Sequence, residues 1–171
     1  MKSSFTRLTA VTVFCLFAAG CQPFLAENEV SSELAGDISS ESSFGAGPEA
    51  VWLEKAKKNY RDGNYGLAER YFRQAIEERH NNVEAWLGLA ASYDRLKRFD
   101  NAEKAYDAVV KLVGYTPTVL NNLAYHQMLK GELSKARRSL EAASAADPGN
   151  PFIKNNMDLL VEFESKAGRA G

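Results

Sequence analysis

The sequence predicts an all-α chain built from three helical repeats, and two observations support that prediction. Residues 49–150 contain three copies of one pattern with a period of 34 residues, aligned on Ala68, Ala102 and Ala136. Within each copy, large apolar residues alternate with small ones at fixed offsets, as two closely packed antiparallel helices require. We therefore expect one helix-turn-helix unit in each copy and a solenoid in which the units stack.

The pattern of the repeats resembles the tetratricopeptide repeat (TPR). The middle copy contains Trp86-x-x-Leu89-Ala90-x-x-Tyr93 and then Ala102-x-x-x-Tyr106, and the third copy adds Pro148. The resemblance implies that the first helix of each unit lines a concave groove. It also implies a scaffold that binds other proteins.

Six helices are expected from the repeats, which we place at residues 49–82, 83–116 and 117–150. The predicted helix pairs are 49–61 with 65–79, 83–96 with 99–113, and 117–130 with 132–146. Gly63 and Gly131 supply the positive φ that ends a helix. Pro117 is allowed in a first helical turn, where its missing N–H would lack a partner anyway.

A seventh helix, residues 151–165, is expected to cap the third repeat. Its apolar face is broad and includes Ile153, Met157, Leu160 and Val161. A repeat array needs a terminal element that covers its last core face. The alternative is that this face receives a partner. The TPR domain is therefore placed at residues 48–166, and residues 167–171 are expected to fray.

The first 20 residues are expected to be a lipoprotein signal peptide. Lys2 and Arg7 precede an apolar run of about a dozen residues, which is too short to span a bilayer but fits a signal peptide. Ala18-Ala19-Gly20-Cys21 resembles the bacterial lipobox, although the usual pattern has leucine where Ala18 stands. The resemblance implies lipidation of Cys21, and glutamine after the cysteine implies the periplasmic face of the outer membrane. An ordinary signal peptide or an uncleaved anchor is the alternative.

Residues 21–47 are expected to form a flexible acidic tether behind the acylated cysteine. The segment has no lysine or arginine, and it is rich in serine and glycine. Such a composition buries too little apolar surface to offset the entropy of ordering, so disorder is expected. Its acidic residues are Glu27, Glu29, Glu33, Asp37 and Glu41. Its larger apolar residues (Phe24, Leu25, Val30, Leu34 and Ile38) offer the alternative of a transient helix or a docking strip.

Candidate binding residues follow from the exposed offsets that line the groove in TPR arrays, and from the offsets next to them. The candidates are Leu53, Lys57, Tyr60, Leu87, Ala91, Asp94, Asn121, Asn122, Tyr125 and Met128. This mixture of apolar, aromatic and polar side chains suits an extended or helical peptide with apolar anchors. The alternative is that the leucines only close gaps between helices.

The composition argues against nucleic-acid binding and against catalysis. The formal net charge of −1 gives no basic excess for nucleic acid. Both cysteines lie within the first 21 residues, so the repeats have no thiol for a zinc or redox site. His80 and His126 lack metal-ligand spacing, and no catalytic motif is present. We expect no enzyme activity, cofactor, metal or small-molecule substrate, and we expect His126 to be a packing or surface residue.

The third repeat carries a more specific resemblance. Val119-Leu120-Asn121-Asn122-Leu123-Ala124-Tyr125-His126, with residues 146–151 beyond it, resembles the TadD-like TPR lipoproteins of the tight-adherence (Flp) pilus system. The lipobox, the acidic tether and three repeats match that layout. The resemblance implies an outer-membrane scaffold that helps to localise or assemble the pilus secretin, with the secretin or an assembly protein as partner. The alternative is a general periplasmic envelope adaptor for secretion or cell-wall machinery.

Overall fold

A computed structural model describes residues 47–169, and in that part of the chain all regular structure is helical. The seven helices are α1 (Pro48–Arg61), α2 (Tyr65–Glu78), α3 (Val83–Arg95), α4 (Phe99–Val113), α5 (Pro117–Leu129), α6 (Leu133–Ala146) and α7 (Pro151–Gly168). The predicted all-α repeat fold is confirmed. The predicted signal peptide, Cys21 and residues 22–46 of the predicted tether lie outside the described residues.

The turns inside the three repeats share one backbone conformation. Gly63 and Gly131 have φ values of 78° and 77°, as expected for glycines that end helices. The middle repeat has Lys97 at the same offset, with a φ of 58°. A non-glycine residue in this left-handed region costs about 1–2 kcal/mol, so the middle turn is the strained member of the three.

Side-chain caps begin the helices that follow each repeat boundary. The side chain of Asn82 accepts a hydrogen bond from the backbone N–H of Ala85 at 2.9 Å. Thr116 and Asn150 cap α5 and α7 in the same way. A cap of this kind satisfies an N–H that has no partner within the helix, and it contributes about 1 kcal/mol. The caps therefore fix where each new repeat starts.

The helices form two layers. In the inner layer α1 contacts α3, α3 contacts α5, and α7 packs on α5. In the outer layer α2, α4 and α6 each pack between inner helices, and among the described residues the backbones of these three helices do not approach one another closely. This arrangement leaves clefts between successive outer helices.

Two clusters of buried side chains form the core. The first joins the first two repeats and includes Phe72, Tyr106 and Val109. The second joins the third repeat to α7 and includes Leu140 and Leu160. The boundary between the clusters lies within α5, because Val119 belongs to the first cluster and Ala124 to the second. Buried polar side chains meet close to this boundary, where α5 packs on the second repeat.

The α7 helix caps the array, as the sequence predicted. Ile153 and Leu160 are buried in the second core cluster, whereas Val161, at the edge of the apolar face, is 60% exposed. The helix continues to Gly168, beyond the predicted end at residue 165. Residues 167 and 168, which were expected to fray, are therefore helical, because nothing in the sequence Lys166-Ala167 interrupts the last turn.

Candidate functional site

The inner face is more closed than the sequence predicted. Leu53, Lys57 and Tyr125 are half-buried and remain partly accessible. The other candidates are buried, and for them the expectation of exposed groove positions is wrong: Tyr60, Leu87, Ala91, Asp94, Asn121, Asn122 and Met128. The reasons differ between the repeats.

In the third repeat, α7 covers part of the predicted surface. The side-chain amide of Asn156 in α7 donates to the Asn121 side-chain oxygen at 2.9 Å and to its carbonyl at 3.4 Å. Met128 is 1% exposed and belongs to the core cluster shared with α7. The Asn122 amide donates to the carbonyl of Thr118 within its own helix. These polar groups are therefore already satisfied by the chain itself.

In the second repeat, a buried polar network closes the face at Asp94. One carboxylate oxygen of Asp94 lies 2.6 Å from His126 Nδ1, and the other accepts a hydrogen bond from the Tyr106 hydroxyl at 3.0 Å. Burial, together with the negative charge of Asp94, raises the pKa of Tyr106 well above its ordinary value. The network links α3, α4 and α5, and so it fixes the third repeat on the second.

His126 is a packing residue, one of the two roles that the sequence predicted. It is 3% exposed, and its ring lies 5.4 Å from the ring of Tyr106 and 6.0 Å from that of Phe99. Its Nε2 atom is buried and has no hydrogen-bond partner in the described part of the chain. The nearest carboxylate oxygen belongs to Glu103, at 3.7 Å.

An ion pair crosses the same junction at the surface. Lys130, directly after the end of α5, donates to the carboxylate of Glu103 in α4. This hydrogen bond lowers the pKa of Glu103 and raises the pKa of Lys130. Because the pair is in contact with solvent, it contributes little to the free energy of unfolding. Its main effect is to orient the third repeat relative to the second.

In the first repeat, the lysine on the inner face, Lys57, already forms salt bridges. The Lys57 ammonium lies 3.1 Å from Glu54 and 3.0 Å from Glu84, which is on α3. Burial alone would lower the pKa of Lys57, but the hydrogen bonds to Glu84 and Glu54 outweigh it and raise the pKa. Lys57 therefore bridges α1 and α3 and is not an unpaired cation waiting for a partner carboxylate.

The outer face contains a cleft that the sequence did not indicate. The cleft has a volume of about 380 Å³ and lies between α2 and α4, with α3 beneath them. Its lining residues are Arg73, Ile76, Glu77, Trp86, Leu89, Tyr93, Asn101, Lys104 and Ala105. Ile76, Leu89 and Ala105 are buried and apolar, so they form the base of the cleft.

A second cleft of about 380 Å³ adjoins the first along α2 and shares Arg73 and Glu77 with it. Its other lining residues are Trp52, Arg70, Tyr71 and Gln74. The rings of Trp52 and Tyr71 are stacked, with centroids 5.9 Å apart and planes 14° apart. We call the two clefts together the outer groove.

The outer groove combines aromatic surface with positive charge. The ammonium of Lys55 lies 4.6 Å from the centroid of the Trp52 ring, a cation–π contact. Aromatic residues and arginine are the residue types most enriched at the energetic centres of protein interfaces. The sequence contained one signal for this surface, the tryptophan at the same offset in two repeats, but such residues are usually read as core.

The fold is a TPR solenoid, and comparison with known proteins agrees. Residues 53–117 match the tetratricopeptide repeat family model. Among curated protein sequences no significant match is found. The TPR identification therefore rests on the repeats and on the similarity of the fold to solved structures.

Three solved structures illustrate that similarity. The first TPR domain of human RPAP3 is 20% identical, with a TM-score of 0.62, over 72% of this chain and 97% of that domain. The first TPR of Spaghetti (RPAP3), solved with an HSP90 peptide, is 20% identical, with a TM-score of 0.58, over 68% and 93%. The type III secretion translocator chaperone SycD of Yersinia enterocolitica is 22% identical, with a TM-score of 0.58, over 67% and 87%.

Neither a metal site nor a membrane span is found in residues 47–169. No group of three or more histidine, cysteine, aspartate or glutamate residues in this part is arranged to hold a metal ion. Each of the described helices is too short or too polar to cross a bilayer. The expected absence of enzyme activity remains a prediction from the sequence.

Proposed function

We propose that this chain is a membrane-tethered TPR scaffold that binds a protein partner during assembly of a tight-adherence (Flp) pilus. Acylated Cys21 would hold it at the periplasmic face of the outer membrane. The partner would be the pilus secretin or another assembly protein. The support is the lipobox-like sequence, the TPR fold and the resemblance of the third repeat to TadD-like lipoproteins.

The outer groove is the binding surface that the geometry supports best, and it carries the proposal. Trp52, Tyr71 and Trp86 are only partly buried there, so apolar surface remains for a partner to cover. Partners bind most strongly where a few aromatic side chains enter pockets from which water is excluded. Arg70 and Lys104 form no ion pair with any described residue. The fitting segment is therefore acidic and carries an apolar or aromatic anchor.

Membrane attachment would strengthen such binding without adding a contact. Confinement to the same membrane raises the effective concentration of partner and scaffold, and linked sites of this kind gain up to about 10²–10⁴ in avidity. A weak groove contact is then sufficient for function. Removal of the lipid should abolish function while leaving the contact itself intact.

Co-purification of the protein with the secretin from cells tests this proposal. We expect Arg70→Glu combined with Lys104→Glu to reduce recovery of the secretin about tenfold or more, because one lost charged contact of 1.4 kcal/mol is already a factor of ten. The matched control is Arg138→Glu, on the exposed surface of α6. It should leave recovery unchanged.

The inner face is tested in the same experiment with Leu53→Glu and Tyr125→Glu. Equal recovery with these variants, together with loss in the outer variants, is the expected result. Loss only in the inner variants would move the partner to the inner face. Absence of secretin or other pilus proteins from the wild-type sample, with cell-wall or secretion proteins in their place, would refute the pilus assignment and favour a general envelope adaptor.

A further inference from the structure

The outer groove carries positive charge that the described residues leave unpaired. Arg70, Arg73 and Lys104 line it, and Lys55 lies beside it over Trp52. Arg70 and Lys104 form no ion pair within residues 47–169. Glu77 is the one carboxylate in the lining, and it accepts a hydrogen bond from Gln74 at 2.7 Å. The groove therefore has a net positive charge.

A second carboxylate, that of Glu69, does not neutralise this surface. Glu69 lies on α2 beside Tyr93, but Arg98 holds it at 2.7 Å. Arg73 is farther from Glu69, at 3.9 Å, and its side chain is 59% exposed. The guanidinium of Arg73 is therefore only weakly paired, and it can form a closer ion pair with a ligand in the groove.

The chain itself contains a segment of the opposite character. Residues 22–46 include five acidic residues and neither lysine nor arginine. The same segment carries apolar side chains that match the aromatic surface of the groove. Phe24 and Leu25 precede the acidic residues, and Val30, Leu34 and Ile38 alternate with them. The segment therefore offers both of the chemical features that the groove would bind.

The segment also joins the fold beside the groove. It ends immediately before Gly47, and α1 begins at Pro48. Trp52, in the wall of the groove, follows only four residues later, which is about 6 Å along a helix. A chain of this length reaches roughly 80 Å when extended, so its acidic residues can reach Lys104 on the far side of the groove without strain.

We propose that residues 22–46 dock in the outer groove of the same molecule, with their carboxylates against Arg70, Arg73 and Lys104 and their apolar side chains against Trp52, Tyr71 and Trp86. A short connection of this kind gives an effective concentration of the order of millimolar. A contact too weak to persist between separate molecules is then populated within one chain. Docking would also cover the apolar surface until a partner displaces the segment. This regulatory consequence rests on the proposed function, whereas the docking itself does not.

Carbodiimide cross-linking of the full-length protein, extracted from membranes in detergent, tests the docking. The reagent joins a carboxylate to a lysine amine when the two are in contact, and mass spectrometry locates each link. We expect links from Glu27, Glu29, Glu33, Asp37 or Glu41 to Lys104 and Lys55. The internal control is Lys111, which is exposed on the same helix as Lys104 and lies about 10 Å farther along it.

Docking predicts that links to Lys104 exceed links to Lys111 by about tenfold. A segment that is docked about 90% of the time has a ratio of docked to free molecules of about this size. The double variant Arg70→Glu with Arg73→Glu should reduce the Lys104 links to the level of Lys111. Arg138→Glu should not change them. Both arginines are exposed, so circular dichroism should confirm an unchanged fold.

Several results would overturn the proposal. Equal links to Lys104 and Lys111, or links that survive the double variant, would show that the segment does not prefer the groove. A mixture of ¹⁴N- and ¹⁵N-labelled protein distinguishes links within one chain from links between two chains. Links found only between chains would assign the groove to a second copy. The protein is purified from the extract before cross-linking, so no partner protein is present and failure here is separate from failure of the secretin co-purification.

Discussion

Gly88 of α3 lies directly against the buried ring of Phe72 in α2, and its replacement by alanine should destabilise the protein. A Cβ atom at this position would lie 2.1 and 2.2 Å from two carbon atoms of the Phe72 ring and 2.7 Å from a third. Carbon atoms in contact are normally about 3.5–4.0 Å apart. The ring would therefore have to move by more than 1 Å. Phe72 is fully buried, so no open space is available to it.

Two opposing effects set the size of the change at Gly88. Alanine is favoured over glycine inside a helix by about 1 kcal/mol. Forcing extra volume into a packed core costs about 1–3 kcal/mol, and the overlap at Gly88 lies at the severe end of that range. We expect Gly88→Ala to lower the free energy of unfolding by about 1–2 kcal/mol. With a urea dependence of about 1–2 kcal/mol per molar, the midpoint falls by roughly 1 M.

Urea unfolding followed by circular dichroism measures this effect, and Gly66→Ala is the matched control. Gly66 is also helical, in the first turn of α2, but a Cβ there would meet nothing within 4 Å. That variant should raise the free energy of unfolding by about 0.5–1 kcal/mol. In a double-mutant cycle, Phe72→Leu should make Gly88→Ala less harmful by about 1–2 kcal/mol. Equal stability of Gly88→Ala and the wild type, or simple additivity with Phe72→Leu, would refute the packing argument.

Three further predictions follow from the described contacts. Asp94→Ala should lower the free energy of unfolding by about 2–5 kcal/mol in urea, because it leaves His126 and Tyr106 buried without their acceptor. Asp94→Asn should lower the free energy of unfolding by a smaller amount. Burial raises the pKa of Tyr60 and Tyr106 in the folded protein, whereas both phenols ionise near pH 10 once unfolded. Their stabilising effect is therefore present below pH 10 and is lost as the pH rises further, by about 1.4 kcal/mol per pH unit for each phenol. Tyr60→Phe should reduce that slope in urea titrations between pH 9 and 11. Lys97→Gly should raise the thermal midpoint, since it removes about 1 kcal/mol of left-handed strain; an unchanged midpoint would contradict this.

The fold could be predicted because packing requires the same type of residue at the same offset in each repeat. The aligned alanines at positions 68, 102 and 136 are all fully buried, which is why no larger residue occupies them. Proline and glycine mark several helix boundaries, so the predicted ends fall close to those of the structure. Local rules were sufficient here because each repeat contacts only its neighbours.

The state of the inner face could not be predicted in the same way. Whether an offset is open depends on what packs over it, and for Asn121 that is α7, thirty-five residues away. Asp94 and His126 are separated by 32 residues, close to one period, so they face each other across a repeat junction. That spacing was a usable signal, but a polar pair one period apart is informative only when both side chains are known to be buried.

The outer groove escaped prediction for a different reason. Its space arises because α2 and α4 both pack on α3 while their own backbones stay apart, among the residues that the structure describes. This separation depends on helix geometry and not on any single residue type. Trp86 shows why the groove could not be predicted from the sequence. It is one of the residues that define the repeat pattern, and in the structure it also lines the cleft.

The two faces differ in how many of their charged side chains already have partners within the chain. This difference favours the outer groove as the place where partners bind. On the inner face, Asp94 and Lys57 already have partners within the chain, so a ligand would exchange existing hydrogen bonds for new ones at a net gain of about 1 kcal/mol or less for each. On the outer face, Arg70 and Lys104 have no ion-pair partner among the described residues, and Trp86 is partly in contact with water. Binding there forms new charged contacts and covers apolar surface without breaking an internal network. We therefore expect the groove to bind and release a segment while the buried junction between the repeats stays intact.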